Sequence, residues 1–243
     1  MSSFVHPEYL VETDWLAQHL SDPNVLVLDC TTHLIPDPKI TYEVKPGRED
    51  FEQGHIAGAQ FVDMLRDVSD TSQKLRFMRQ SPDDFAAAMR RFGVNNTTRV
   101  VTYSTANVWW ATRLWWLLYE FGYDKAAVLN GGWQKWRREG RPVEAGPARP
   151  RPPGNFTVGK VRNLMVGKDE VQRAIGNGAI CTIGFTAVAG KTYTVQYRDL
   201  LDGGMWQKLT DIPAQLSTGP LVVTDSNLTS PTRFYRVVTP AQP

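Results

Sequence analysis

Two hydrophobic periodicities divide this chain. Up to about residue 145, short continuous apolar runs alternate with longer segments of helical spacing. Val25-Leu-Val-Leu-Asp29-Cys30 is one such run, and Val100–Tyr103 and Ala126–Leu129 are two more. Runs of this kind suit strands covered on both faces, as in a parallel sheet. The helices between them have legible ends. Thr13 is placed to cap a helix ending near Leu20. Ser81-Pro82-Asp83-Asp84 supplies an N-cap, a proline at N1 and an acid at N3, and Gly93 stops that helix. A helix over 107–121 ends at Gly122, and another starts at Asn130 or Gly131 and ends at Gly140. The β/α alternation predicts an α/β fold. Helix 107–121 is apolar nearly all round, with Arg113 and Glu120 its only charges, so it is expected to be covered on every side.

The pattern then changes twice. Residues 146–154 are rich in proline and arginine and read as a linker. Next, Val166, Asp169, Val171, Ile175 and Ile180 repeat the spacing of Val11, Asp14, Leu16, Leu20 and Val25 at a constant offset (166 − 11 = 155). A second copy of the opening segment begins there. It then stops, because Asp29 and His55 would be echoed at Gly184 and Thr210. From Gly184 the alternation has period 2. Strands are expected within 185–198 and at Trp206–Leu209, Pro220–Thr224 and Arg233–Val238, with turns at Asp202-Gly-Gly204, Ser217-Thr-Gly219 and Asp225-Ser-Asn227. The expected division is 8–145, an α/β domain; 146–183, a linker and truncated repeat; and 184–243, a small all-β module.

Composition narrows the function. With 42% hydrophobic residues in 243, the chain can bury a sizeable core. A net charge of +2, with no Lys/Arg run longer than two, implies no nucleic-acid partner. No apolar run suggests a membrane span. Met1–Tyr9 has no leader pattern, so a cytoplasmic location is expected. Cys30 and Cys181 are too few for a disulfide framework or, alone, a metal site.

Two motifs carry a resemblance. Phe51-Glu-Gln-Gly54-His55-Ile-Ala57-Gly58-Ala59-Gln-Phe61 is similar to the F-x-x-G-H-I-P-G-A element of the rhodanese (thiosulfate or mercaptopyruvate sulfurtransferase) family, with Ala57 in place of Pro. Val128-Leu-Asn130-Gly131-Gly132-Trp133-Gln-Lys-Trp136 resembles that family's D-G-G-[WF] element, with Asn130 in the acidic slot. The likeness covers roughly residues 8–183. It implies a five-stranded parallel sheet flanked by helices and no cofactor. In active members the residue after the central strand's Tyr is a Cys that carries a persulfide inside a loop of backbone N–H groups. Here that position is Ser104, followed by Thr105, Ala106, Asn107, Val108 and Trp109. A hydroxyl cannot store sulfane sulfur as a thiolate does. First halves of tandem rhodaneses typically lack the Cys, and this chain resembles such a half. The last stretch of the chain resembles a fibronectin-III-like β module, so the whole reads as a chimera.

The candidate site is therefore the loop Ser104–Trp109 at a helix N-terminus, a place suited to a small anion. Ser104 reads mainly as a loop residue bonding backbone, since none of His6, His19, His33 and His55 is spaced to serve it as a base. Cys30 reads first as a buried small hydrophobe and second as an alternative thiol. His55 reads first as pinning its turn by hydrogen bonds, with Gly54, Gly58 and Ala59 allowing close backbone approach, and second as a ligand or acid/base; Gly131, Gly132 and Trp133 are carried as residues of the second motif. Arg48 and Glu49-Asp50 either cap a short helix or line an anion pocket. Three functions follow: a catalytically silent scaffold; a working sulfurtransferase using Cys30 or a partner's Cys; or docking to glycan or a surface through Tyr193, Tyr197, Trp206, Phe234 and Tyr235, which also fit a module core. Helix 107–121 is the expected face for a second rhodanese domain or a second copy of the chain.

Overall fold

The computed structural model describes residues 4–174, 180–200, 203–228, 230 and 232–241. It forms two compact units, Met1–Leu164 and Met165–Pro243.

In the first unit, a 3-10 turn (Pro7–Tyr9) leads into β1 (Leu10–Val11), α1 (Thr13–His19) and β2 (Val25–Asp29). There follow a hairpin of β3 (Thr32–Asp37) and β4 (Thr41–Pro46), then α2 (Arg48–Gln53), β5 (His55–Ile56) and β6 (Gln60–Phe61). The unit continues through α3 (Pro82–Arg91), β7 (Arg99–Tyr103), α4 (Val108–Glu120), β8 (Ala126–Leu129), α5 (Gly132–Arg138) and β9 (Val143–Glu144). The central sheet has five strands in the order β1-β8-β7-β2-β6, and every neighbouring pair is parallel. The reason for the continuous apolar runs is plain in β2. Leu26, Leu28 and the following Cys30 enter a core with α3 and α4, while Val25 and Val27 enter a second core on the opposite face with Leu16, Phe51 and Trp136.

Several element ends match the sequence reading. Ser81 accepts a hydrogen bond from the Asp84 amide at 3.1 Å, with Pro82 at N1. Thr13 differs: it is the first helical residue, and its hydroxyl donates to Glu139 at 2.6 Å instead of capping. The hairpin β3–β4 was not anticipated, because its apolar Leu34 and Ile35 lie on a largely exposed ribbon.

Residues 146–164, expected to start as a spacer, run across the first unit. Phe156 is fully buried, its ring 5.2 Å from Tyr123 and 6.0 Å from Phe85. The Gly154 amide bonds to Arg90 O at 2.8 Å, and a side chain at Gly154 would collide with the Val94 carbonyl. Buried Glu120 ties down the end of the segment, accepting from Arg79 at 2.7 Å and from the Leu164 amide at 2.9 Å. One phenylalanine among prolines and arginines is too weak a hydrophobic signal to reveal this.

In the second unit, α6 (Lys168–Ala174) forms where the repeat predicts a helix. The repeat's described apolar positions are not buried, however. Val166, Val171 and Ile180 are 57%, 46% and 63% exposed, whereas Val11, Leu16 and Val25 are 6%, 0% and 7% exposed. Ile175 and Ala179 lie outside the described residues. The strand after Ile180 is β10 (Cys181–Ala187), which crosses the expected join at 183–184 and pairs antiparallel with β13 (Gly219–Asp225). β11 (Tyr193–Arg198) pairs antiparallel with β12 (Gln207–Ile212) and β14 (Phe234–Val238). A small core of Ala187, Tyr193, Val195 and Ile212 draws on both sheets. Trp206 falls just outside β12.

If 146–164 is part of the first unit, Phe156→Ala in the full chain should cost about 3–5 kcal/mol in denaturant unfolding followed by tryptophan fluorescence. A change below roughly 1 kcal/mol would mark the segment as a mere tether.

Candidate functional site

The loop Ser104–Asn107 joins the C-terminal end of β7 to α4, at the mouth of the parallel sheet. Three of the five amides after Ser104 already have side-chain acceptors. The Thr105 amide donates to Thr31 Oγ1 at 2.9 Å, Ala106 to Ser104 Oγ at 3.2 Å, and Trp109 to Asn107 Oδ1 at 3.0 Å. Ser104 is only 5% exposed. The N–H groups expected to cradle an anion are thus largely satisfied within the chain.

Thr31 is the hub beneath the loop. Its hydroxyl donates to Asp29 Oδ1 and lies 3.1 Å from the Thr105 hydroxyl, while its amide donates to the same Asp29 oxygen at 2.8 Å. Asp29 is fully buried, and its Oδ2 has no hydrogen-bond partner. Burial pushes its carboxyl above the ordinary carboxylate range, against the Thr31 hydrogen bonds that pull it down. Tyr103 is buried beside it, and its hydroxyl accepts from the Ile56 amide at 3.2 Å. Burial, then the neighbouring Asp29 charge, pushes that hydroxyl well up.

The two motifs converge on this mouth. Gly131 and Gly132 line a cavity of about 700 Å³ together with Ser104, Ala106 and Asn107. Gly131 has φ 82°, and a Cβ there would come within 2.5 Å of the Lys135 side chain, so the turn into α5 needs glycine. Trp133 stacks on Tyr103 at 6.1 Å, and the open Cα of Gly54 lies against Trp133. His55 is buried, stacks on Phe51 at 3.8 Å and bonds through Nδ1 to Phe51 O at 2.7 Å. Ala59 is buried and Gly58 turns with φ 76°. These are the contacts of side chains that pin turns.

Cys30 is fully buried in the core, its thiol 3.8 Å from Leu28 O. Burial, with Asp29 next to it, pushes the thiol well above its ordinary value. Cys181 lies half-buried in β10 of the second unit. Helix α4 departs from the expectation of full coverage: Trp110, Leu114, Leu117 and Leu118 are buried, but Val108 and Trp109 are 53% and 68% exposed. The exposure is confined to one side of the first turn, whose Trp110 and Ala111 are buried.

One pair escaped the sequence reading. His33 Nε2 and Asp50 Oδ2 lie 2.7 Å apart. Both line a cavity of about 600 Å³ that reaches Ala106, Asn107 and Trp109, and also a second of about 650 Å³ with Thr105 and Trp133. The hairpin brings His33 to α2, and no local spacing announces that. Glu49 and Asp50 do sit in the first turn of α2, while Arg48 packs over the Phe61 ring at 4.8 Å. In the second unit Tyr193 is core, and Trp206 lies between Arg198 and Arg236 at 4.5 and 4.4 Å. Tyr235 donates to Asp225 at 2.8 Å, Tyr197 to Gln207 at 2.7 Å, and Phe234 is half-buried in β14. Among the described residues no cluster of three or more His, Cys, Asp or Glu could hold a metal ion, and no helix is long and apolar enough to cross a membrane.

The rhodanese-like domain model matches residues 12–139, more than half of the chain. The chain belongs to the rhodanese-like family. This rhodanese-like chain is 37% identical over 155 residues to the sulfur carrier protein TtuD of Thermus thermophilus, covering 64% of this chain and 48% of that one. It is 35% identical over 156 residues to the 3-mercaptopyruvate sulfurtransferase of Escherichia coli, covering 62% and 51%. It spans about half the length of the curated relatives it matches. The crystal structure of the 3-mercaptopyruvate sulfurtransferase SseA from Escherichia coli superposes with a TM-score of 0.59 at 31% identity, over 70% of this chain and 63% of that one. The sulfurtransferase family and the five-stranded sheet expected from the two motifs therefore both stand.

Asp29 makes a pH prediction. A carboxyl raised in the folded state contributes most below its unfolded value of about 3.9, and that contribution is lost as pH rises through the folded value. Asp29→Asn keeps the Oδ1 acceptor for Thr31 and removes the titration. Its melting temperature should gain on the parent chain's as pH rises above about 4. A pH-independent difference would contradict the burial of an ionisable Asp29. For Cys30, a maleimide should modify the native chain at one thiol, Cys181, and at both after denaturation; fast native labelling of Cys30 would contradict its burial.

Proposed function

We propose that this chain is a sulfurtransferase-family protein that does not itself carry sulfur and acts as a binding scaffold. The observation that carries the reading is Ser104 in the persulfide position, in a loop whose amides are largely occupied by Thr31, Ser104 and Asn107. Sulfur transfer needs an accessible thiolate that accepts a sulfane sulfur from the donor and yields it to an acceptor. Of the two cysteines, Cys30 is sealed in the core with a raised thiol, and Cys181 stands on a strand of the second unit. Both facts support a silent site. An active enzyme using Cys30 would have to open the core between β2 and the helices packed on it.

The test is chemical. The chain is incubated with thiosulfate, and separately with 3-mercaptopyruvate, then weighed intact and assayed for thiocyanate with cyanide. No gain of about 32 Da, one sulfur atom, and no thiocyanate above a blank are expected. An adduct lost in Cys30→Ser would establish Cys30 as a sulfur carrier and overturn the reading.

A further inference from the structure

Strands β7 and β8 are adjacent and parallel, yet the helices that follow them part. Helix α4 enters the core that holds Leu26 and Leu28, and α5, through Trp136, enters the opposite core with Leu16 and Phe51. In an open α/β sheet such a divergence leaves a crevice outside the strand ends, which is where ligands bind. The cavity of about 700 Å³ beside Ser104 lies in that crevice, with Val108, Ala111, Val128 and Leu129 as its apolar wall. A smaller cavity of about 250 Å³ shares Val108, Val128 and Leu129 with it and reaches Tyr9 and Trp115. The space is of small-molecule size.

Charge decides what fits. Among the described residues no Asp, Glu, Lys, Arg or His lines either cavity. The flanking charges are engaged elsewhere. Lys135 passes over Gly131 but ends on Glu12 at 2.7 Å, and Arg137 lines the neighbouring cavity, packing over Trp133 at 5.5 Å. An ion entering here sheds water without meeting a counter-charge.

Two side-chain amides on the wall supply the polar specification. Asn107 Oδ1 accepts from the Trp109 amide at 3.0 Å, which fixes the orientation of the group and leaves Nδ2 without a partner among the described residues. Gln134 is fixed in the same way, because its Nε2 donates to Thr105 O at 2.9 Å. Its Oε1 has no partner among the described residues and lies 3.7 Å from where a Cβ of Gly132 would stand, and Gly132 lines the cavity. The crevice therefore offers a free donor and a free acceptor on a largely apolar, uncharged surface.

We infer that this crevice binds a small uncharged molecule with an apolar body and an amide-type head, Asn107 donating to its carbonyl and Gln134 accepting from its N–H. The inference deepens the reading of a binding scaffold by naming a ligand class, and it rests on that reading in one respect: the mouth of the sheet holds no sulfur substrate.

The full chain is titrated with benzamide and, in parallel, with its two charged isosteres, benzoate and benzamidinium, by ligand-observed NMR. Saturable binding of benzamide is expected with a dissociation constant of about 5 mM or tighter, at least about fivefold tighter than either ion. Asn107→Asp keeps an acceptor for the helix cap and removes the free donor, and Gln134→Met removes the free acceptor. Each should weaken benzamide about threefold or more, the size of one lost hydrogen bond, and Asn107→Asp should tighten benzamidinium. The inference is overturned if benzamide does not saturate, if benzoate or benzamidinium binds the parent chain as tightly, or if either variant leaves the benzamide affinity unchanged. The two readings fail separately. A persulfide adduct would overturn silence whatever the titration gives, and failure of benzamide to bind would leave the silent loop as it stands.

Discussion

The site hangs on one hydroxyl. Thr31 Oγ1 receives the Thr105 amide, lies against the Thr105 hydroxyl and donates to the buried Asp29. Through it the end of β2 is fastened to the loop that follows β7, the two adjacent central strands of the sheet. A strand-to-helix junction at the mouth of a parallel sheet leaves N–H groups that must find acceptors. A ligand can supply them, or the chain can. Here Thr31, Ser104 and Asn107 supply three, and the geometry that makes such a mouth attractive to anions is used internally instead.

The sheet, most of its helix ends and the second motif's turn were legible in the sequence because each rests on a local rule. Continuous apolar strands follow from two-sided burial, Ser81 from the amides of a helix start, and Gly131 from a left-handed turn. What stayed illegible depends on distance along the chain. His33 meets Asp50 only because an exposed hairpin folds back on α2. Phe156 joins the core from a stretch whose composition reads as spacer. Thr13 satisfies Glu139, 126 residues away, in place of the cap that local pattern suggested. The first turn of α4 was expected to be covered because its composition is apolar, and composition does not say which of its sides meets a neighbour: Trp110 and Ala111 do, Val108 and Trp109 do not.

The repeat separates pattern from burial. The same apolar spacing occurs twice, and both copies form a helix where it predicts one. Only the first is buried, because strands β8, β7 and β2 are there to receive it. In the second copy the strand that should enter a parallel sheet is paired antiparallel with β13. Periodicity specifies which face of an element is apolar; it does not supply the opposing surface. Secondary structure persists with its apolar positions exposed, and the energy of burial goes to the smaller core that the β strands build from Tyr193, Val195 and Ile212.

The same logic bears on the loop at Ser104. A position without a thiol is not a neutral vacancy, because the groups around it still need partners. Ser104 is small enough to turn its oxygen onto the Ala106 amide, and Asn107 caps α4 by bonding Trp109. Each bond lowers the positive potential that an incoming anion would meet. Restoring a sulfhydryl at Ser104 alone would therefore leave the loop short of one of these acceptors without freeing the amides held by Thr31 and Asn107. On the proposed silent reading, sulfur chemistry at this mouth would need more than a thiol, since the Thr105, Ala106 and Trp109 amides already have acceptors within the chain.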